Sequence, residues 1–474
     1  MSDFIELIDG FLSLFILIYA LSVMFSYTLL ASISYDTLNK YLKNNRKVNH
    51  NKVLDSNLSP TISIIAPAYN EENTIIDNIK SILSVHYQNF EVIIVNDGSK
   101  DKTLAKIIQE FQLVPYNYAY RTEIKTQTIR KIYKSNLPEY EKLIIVDKEN
   151  GGKADALNAG INVASSKYIT SIDVDCILEE DALVKMIKPF LQTNKKVIAT
   201  GGVIRIANSC EVTNGKITKV NVPKSLLARV QVVEYLRAFL LGRMAWSRMD
   251  GLLLISGAFG MFDREIVIKC GAYSTQTVGE DMELLVRMRR YMVDNNLEYE
   301  VQFIPDPLCW TEVPEDLNIL IRQRNRWTRG TIETLLMHKK MFLNPKYKTL
   351  GLLSYPYWFT FEFLAPLIEF FGFIFLLLMT IFGIVDWEFF IALFFMIYSF
   401  AFMFNMFSLY IEEKTFAQYK KFHQLYKLAF AALLEPFIFH PIVVYAAVKG
   451  NLNYLSGSKS WGEMSRKGFD RSNL

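Results

Sequence analysis

Residues 11–33 are almost unbroken apolar sequence, and a run of that length leaves the chain few options. At about 1.5 Å per residue it is long enough to cross a hydrocarbon core about 30 Å thick, so it predicts one membrane helix. A cleaved leader is not expected, because the preceding segment carries Asp3, Glu6 and Asp9 in place of a basic patch and the apolar core is too long. Basic residues follow it instead, at Lys40, Lys43, Arg46, Lys47 and Lys52. By the positive-inside tendency this puts the N-terminus outside and the next stretch in the cytoplasm.

The chain turns strongly apolar again after Lys346. Residues 366–385 and 388–410 predict two more spans, joined by Asp386-Trp387, and the following loop carries Lys414, Lys420, Lys421 and Lys427. That pattern gives an outside turn and an inside loop. Residues 428–448 are interrupted by Pro436 and Pro441 and lead into Lys449, Lys459, Arg466, Lys467 and Arg471. A full crossing would put that basic tail outside, so a broken or re-entrant segment is expected. Glu362, Glu369, Glu435 and His440 lie in or beside these segments. Ionisable groups at membrane depth suggest a polar channel wall, whereas Glu362 in an interfacial helix over 352–364 would simply be solvated.

Composition agrees with a chain partly in lipid: 51% of its 474 residues are hydrophobic. A net charge of +4, with five histidines and no long basic run, gives no reason to expect a nucleic-acid partner. Cys176, Cys210, Cys270 and Cys309 are widely separated and read as reduced residues of a cytosolic domain, without zinc or disulfides. The resulting division is an N-terminal helix and basic linker at 1–55, a cytosolic domain at 56–345, interfacial and transmembrane helices at 346–450, and a basic tail at 451–474.

Between the apolar ends the pattern changes. Residues 61–66, 91–96, 142–146 and 168–173 predict strands by their β-branched content, and 72–84, 102–112, 152–164 and 180–193 predict helices between them. This alternation means an α/β fold with a largely parallel, doubly wound sheet. In such sheets ligands lie beyond the carboxyl ends of the strands. The residues there are polar or acidic: Pro67-Ala68-Tyr69-Asn70-Glu71, Asp97-Gly98-Ser99, Asp147 to Lys153, and Asp173-Val174-Asp175. Residues 113–139, rich in Tyr, Lys and Arg, read as a surface elaboration with a short helix. Residues 229–246 predict a helix, packed on the sheet or lying along a membrane surface, and 255–262 a strand interrupted by glycines.

Asp173 and Asp175 can hold a divalent metal against a pyrophosphate, since hard cations take oxygen ligands, although Asp pairs at strand ends also arise as turn and cap residues. Asp97 could accept hydrogen bonds from a base or ribose. Further on, Glu280-Asp281 opens a helix-like run and Gln323-Arg324-Asn325-Arg326-Trp327 lies in a second. Standing alone, Asp281 would be an acid favoured by a helix N-terminus and Arg326-Trp327 a surface cation–aromatic pair.

Together, Pro67 to Glu71, Asn96-Asp97-Gly98-Ser99, Gly151-Gly152-Lys153-Ala154-Asp155-Ala156-Leu157-Asn158, Asp173-Val174-Asp175, Gly279-Glu280-Asp281 and Gln323 to Trp327 form an ordered set. From about Thr61 to Gly330 the chain resembles the membrane-embedded family 2 glycosyltransferases, which include cellulose, chitin, hyaluronan and poly-N-acetylglucosamine synthases. The resemblance implies a GT-A (doubly wound, Rossmann-like) domain between transmembrane helices, a UDP-sugar donor, a polysaccharide acceptor and Mg2+ or Mn2+ as cofactor. It implies Ala66, Tyr69, Glu71, Asp97 and Lys153 at the nucleotide, Asp173 and Asp175 at the diphosphate and metal, and Asp281 as general base. Glu280, Gln323, Arg324, Arg326 and Trp327 would serve the acceptor and leaving group. Gly279 stands where the family commonly has Thr, and Ser256-Gly257-Ala258-Phe259-Gly260 matches the cellulose synthase acceptor motif only loosely, which favours poly-N-acetylglucosamine synthases.

The expected activity is thus an inverting, processive transfer of N-acetylglucosamine to an extracellular, capsular or biofilm polysaccharide, coupled to export and served by small membrane or export subunits. The short tail leads to no expectation of control by a fused cyclic-dinucleotide domain. A non-processive enzyme making a lipid-linked or short glycan is the alternative. A transporter or scaffold with a degenerate nucleotide domain would lack the carboxylates found at Asp97, Asp173, Asp175 and Asp281, and a nicotinamide dehydrogenase would need a G-x-G-x-x-G after its first strand.

Overall fold

The computed structural model describes residues 2–45, 59–213 and 215–457. The linker cations Arg46, Lys47 and Lys52, and the tail cations Lys459, Arg466, Lys467 and Arg471, lie outside the described residues.

Four β-rich segments form a parallel core: β1 (Ile62–Ala68), β2 (Phe90–Asp97), β5 (Leu143–Lys148) and β6 (Tyr168–Ile172), in the order β5-β2-β1-β6. Their central residues are apolar and buried on both faces, which is what helices on each side of a parallel sheet require. The covering helices are Ile75–Leu83, Thr103–Glu110, Lys153–Val163 and Ala182–Gln192, each inside its predicted range. Strand succession runs outward from β1 through β2 to β5 and then returns to the other side of β1 with β6. The switch point between β1 and β6 is where a doubly wound sheet opens a crevice.

Beyond β6 the sheet becomes mixed. β11 (Phe259–Asp263) pairs antiparallel with both β6 and β8 (Lys196–Ile206), and β12 (Tyr299–Thr311) runs parallel to β8. A short β7 (Ile177–Leu178) closes that edge, giving ten strands in all. Apart from them, β9 (Glu211–Thr213) and β10 (Lys216–Lys219) pair as a two-stranded ribbon. The opposite edge corrects the reading of 113–139: in place of a surface elaboration with a short helix, β4 (Ile129–Ser135) extends the sheet antiparallel to β5, and β3 (Leu113–Pro115) pairs antiparallel with β4. Only a single 3-10 turn, Pro138–Tyr140, is helical there.

Among the described residues four helices are long and apolar enough to cross a membrane: Gly10–Asn44, Leu350–Phe382, Trp387–Thr415 and Phe422–Leu455. Large apolar side chains stand uncovered on them, including Phe371 at 62%, Phe373 at 73% and Phe382 at 71% exposure, as expected of a lipid-facing surface. Residues 428–448, expected to be broken or re-entrant, lie in the fourth helix, which carries a break. Its break is a π-type turn, Glu435–Phe439, placed where Pro436 has no N–H to donate. Its first half packs on helix Leu226–Leu236 and its second on helix Leu317–Met337, so both halves contact the sheet domain.

Helix Leu226–Leu236 continues through a π-type turn, Arg237–Arg243, and packs between the sheet and the apolar helices, not on an open surface. A buried ion pair fastens the same junction: Arg205 of β8, 2% exposed, bonds Glu412 of helix Trp387–Thr415, 1% exposed. Glu412→Ala leaves a buried guanidinium without its counter-charge and should cost about 3–5 kcal/mol, seen as a lower thermal midpoint of the full chain in detergent. The double variant Arg205→Met, Glu412→Leu should recover most of that loss, because the apolar pair removes both charges together.

Candidate active site

The first site loop follows β1. Asn70 adopts the left-handed region at φ 56°, a conformation its short polar side chain tolerates. Its Oδ1 accepts from Lys100 N at 2.9 Å while its own N–H donates to Ser99 Oγ at 3.0 Å, tying the loop after β1 to the loop after β2. Tyr69 is 45% exposed at this mouth and Glu71 is half-buried beside it. Ala66, expected at the nucleotide, is fully buried within β1.

Asp97 ends β2 and is 3% exposed. Its carboxylate accepts from Lys148 Nζ at 2.6 Å, Gly151 N at 3.0 Å, Gly152 N at 2.8 Å and Asn150 Nδ2 at 3.2 Å. Lys148, completely buried, also reaches Asp155 Oδ1 at 2.6 Å. Asp97 therefore fixes the loop that leads into helix Lys153–Val163, and the loop can turn there because Gly152 takes φ +87°. Lys148 and Asp155 stand in the sequence motifs without a role of their own; only the fold shows that they form one buried knot with Asp97.

Lys153, the first residue of that helix, joins two regions of the chain. Its Nζ stands 2.5 Å from Asp173 Oδ1 at the end of β6 and 3.6 Å from Glu280 Oε1. Burial alone would lower the amine's proton affinity, but Asp173 and Glu280 outweigh it and hold the ammonium well above the usual lysine range. Burial pushes the Glu280 carboxyl up, with neighbouring Asp281 adding to the shift against Lys153 and Arg326. Glu280 Oε2 is buried without a hydrogen bond.

Asp281 is half-buried, and both of its oxygens are oriented by backbone: Oδ2 accepts from Gly257 N and Oδ1 from Met282 N, each at 2.8 Å. Ser256-Gly257, expected within a strand, is instead the loop before β11 that faces Asp281. Asp173 and Asp175 supply two oxygen-donor carboxylates one residue apart, Asp175 being 7% exposed. Among the described residues no group of three or more His, Cys, Asp or Glu could hold a metal ion. The pair nevertheless fits a hard divalent cation of the kind that completes its shell with phosphate oxygens and water.

Gln323 to Trp327 lie in helix Leu317–Met337, whose start Asp316 caps by accepting from Asn318 N and Ile319 N. Its two arginines face different ways. Arg326 Nη1 donates to Val278 O at 3.3 Å, two residues ahead of Glu280. Arg324 is 4% exposed, donates to Glu234 Oε2 at 2.6 Å and lies 4.1 Å from the centre of the Trp327 ring. The structure thus brings Arg326, and not Arg324, to the Glu280–Asp281 turn. Gln323 Oε1 is buried without a hydrogen bond, and Trp327 is 38% exposed. Arg243 is a further residue that periodicity does not single out: burial pushes its guanidinium down to about 10 against the charge of Asp281, and its Nη1 has no bond.

Comparison with known proteins gives this arrangement a family. Residues 63–269 match the profile described as glycosyl transferase family 2, and residues 168–406 that of glycosyl transferase family group 2. Poly-beta-1,6-N-acetyl-D-glucosamine synthase of Staphylococcus epidermidis is 32% identical over 276 residues, covering 58% of this chain and 55% of the relative. The synthase of Staphylococcus aureus (strain COL) is 32% identical over 278 residues with the same coverage, so the chain spans about half the length of the curated relatives it matches. Mannosyltransferase PcManGT from Pyrobaculum calidifontis, solved in complex with GDP-Man and Mn2+, is 16% identical with a TM-score of 0.49 over 91% of this chain and 99% of that one. Glucosyl-3-phosphoglycerate synthase from Mycobacterium tuberculosis, solved with Mn2+, UDP and phosphoglyceric acid, is 16% identical with a TM-score of 0.36 over 61% and 82%. The second profile covers more than half of the 474 residues, and the chain belongs to the glycosyltransferases of family group 2.

Proposed function

We propose that the protein is an inverting, processive transferase that moves N-acetylglucosamine from UDP-N-acetylglucosamine to a growing polysaccharide of the extracellular, capsular or biofilm kind. The observation that carries the reading is the meeting of Lys153, Asp173, Glu280, Asp281 and Arg326 beside the switch point of the sheet. The identity to poly-beta-1,6-N-acetyl-D-glucosamine synthases supports the choice of sugar and product.

In this reading Tyr69 and Glu71 flank the uridine, while Asp97 acts by holding the Asn150–Gly152 loop in place. Lys153 and the N-terminus of its helix face the diphosphate, where positive charge and free N–H groups favour an anion. Asp173 and Asp175 would hold Mg2+ or Mn2+, which when bound supplies charge neutralisation at the diphosphate. The acceptor hydroxyl gives its proton to Asp281 as its oxygen attacks the anomeric carbon; the bond from that carbon to the diphosphate breaks, and UDP leaves with the electron pair. A positioned carboxylate of this kind contributes roughly 10²- to 10⁴-fold. Arg326 balances the charge growing on the leaving group, and Trp327 offers a ring face to the acceptor sugar.

The same reading keeps the divisions 1–55, 56–345, 346–450 and 451–474, with the transferase domain cytoplasmic and the apolar helices in the cell membrane. Lys40 and Lys43 after the first helix, and Lys414, Lys420, Lys421 and Lys427 around the later loop, support that orientation. Export is supported by the packing of helix His440–Leu455 on the helix that carries Trp327. Glu362, Glu369, Glu435 and His440 then border the path, and Glu369 bonds His440 at 2.6 Å.

Two measurements test this. Lys148→Met leaves Asp97 and Asp155 buried without their cation, so the loop loosens: UDP binding by calorimetry should weaken and the thermal midpoint should fall, by about 3–5 kcal/mol of stability. Membranes holding the full chain, given a panel of UDP-sugars, should release UDP fastest from UDP-N-acetylglucosamine and yield long polymer on a gel. Asp281→Asn should reduce that release about 10²- to 10⁴-fold. Unchanged release in Asp281→Asn sinks the base assignment, and short products sink processivity.

A further inference from the structure

The turn that presents Glu280 and Asp281 is held from outside. Glu333, towards the far end of helix Leu317–Met337, reaches back to it, and its Oε2 accepts from Thr277 Oγ1 at 2.7 Å and from Val278 N at 2.8 Å. The Thr277 hydroxyl oxygen in turn accepts from Gly279 N at 3.0 Å. From the same helix Arg326 donates to Val278 O at 3.3 Å, so both edges of the turn are gripped by one element.

Between these bonds the two backbones touch. A Cβ on Gly279 would stand 2.6 Å from Gly330 Cα, and one on Gly330 would stand 2.6 Å from Gly279 Cα. Gly279 has φ −116°, open to any residue, so space and not conformation requires glycine there. On its far side the turn ends in Asp281, whose Oδ2 is aligned by Gly257 N–H at 2.8 Å. A slip of the turn along the helix would therefore break the alignment of that carboxylate.

We propose that Glu333 is a positioning residue for Asp281. Its carboxylate, with the Gly279–Gly330 contact, makes the acceptor helix and the base one rigid unit, so the base and the acceptor keep their register through each transfer. The inference rests on the reading of Asp281 as the base.

The test uses the full chain in detergent micelles with UDP-N-acetylglucosamine, comparing wild type with Glu333→Ala, Glu333→Gln, Gly330→Ala and Asp281→Asn. A misplacement of about 1 Å costs about 10²-fold, so Glu333→Ala should lower kcat by about that factor with the donor KM within about twofold. Glu333→Gln should stay within about fivefold of wild type, because one amide oxygen can accept the same two bonds. Gly330→Ala should follow Glu333→Ala. Wild-type kcat in Glu333→Ala while Asp281→Asn is inactive overturns the positioning role alone, whereas full activity in Asp281→Asn overturns the base reading. Loss of kcat in Glu333→Gln equal to that in Glu333→Ala, or a KM that rises in step with the fall in kcat, also overturns it. An unchanged thermal midpoint in Glu333→Ala separates lost position from lost fold.

Discussion

The Lys153 ammonium is the interaction on which the site depends. It lies between Asp173, which ends the parallel half of the sheet, and Glu280, which begins the helix of the second half. All three groups are largely removed from water, and a buried charge is tolerated only while its partners stay in place. The two acids are far apart in sequence and share one cation, so Lys153 ties the two regions together by charge. The knot of Asp97, Lys148 and Asp155 has the same role a layer deeper, setting the loop from which Lys153 springs.

Charge also decides how the sheet domain meets the apolar helices. Apolar surfaces alone would allow many docked positions, since burial is non-directional. Arg205 with Glu412, and Arg237 with Glu435 and Asn405, define one. Buried ion pairs of this kind add little net stability compared with apolar replacements. At this junction they select a register.

Much of the sheet was legible because the four parallel strands are β-branched runs bounded by turn residues, and a strand buried on both faces writes its pattern plainly. Residues 113–139 were not, because β3 and β4 are short edge strands with exposed polar residues, a pattern that a loop shares. Motif order marked out the candidate site, but spacing alone could not tell Ala66, buried within a strand, from Tyr69 at the strand's mouth. Lys148, Arg243 and Glu333 escaped for a further reason: each acts through a partner distant in sequence, and no local period records such a contact. Gly279, which stands where the resembled family commonly has Thr, has a steric cause visible only once Gly330 faces it.

The segment Gln323 to Trp327 gains most from this. Residues two apart on a helix point about 200° from each other, so Arg324 and Arg326 cannot serve one cluster. Arg326 grips the turn that carries the proposed base, while Arg324 pairs with Glu234 behind the helix and lies against the Trp327 ring and, at 5.7 Å, the Phe439 ring of the fourth apolar helix. Trp327 is thus backed by a cation that is itself held by the partly buried Glu234 carboxylate, which restricts the ring. One face of the helix meets the Glu280–Asp281 turn and the other meets the apolar helices. A change in how those apolar helices sit therefore has a route to the turn before Asp281 along this helix, beside the direct packing of Met282 and Val286 on Leu350 and Tyr355.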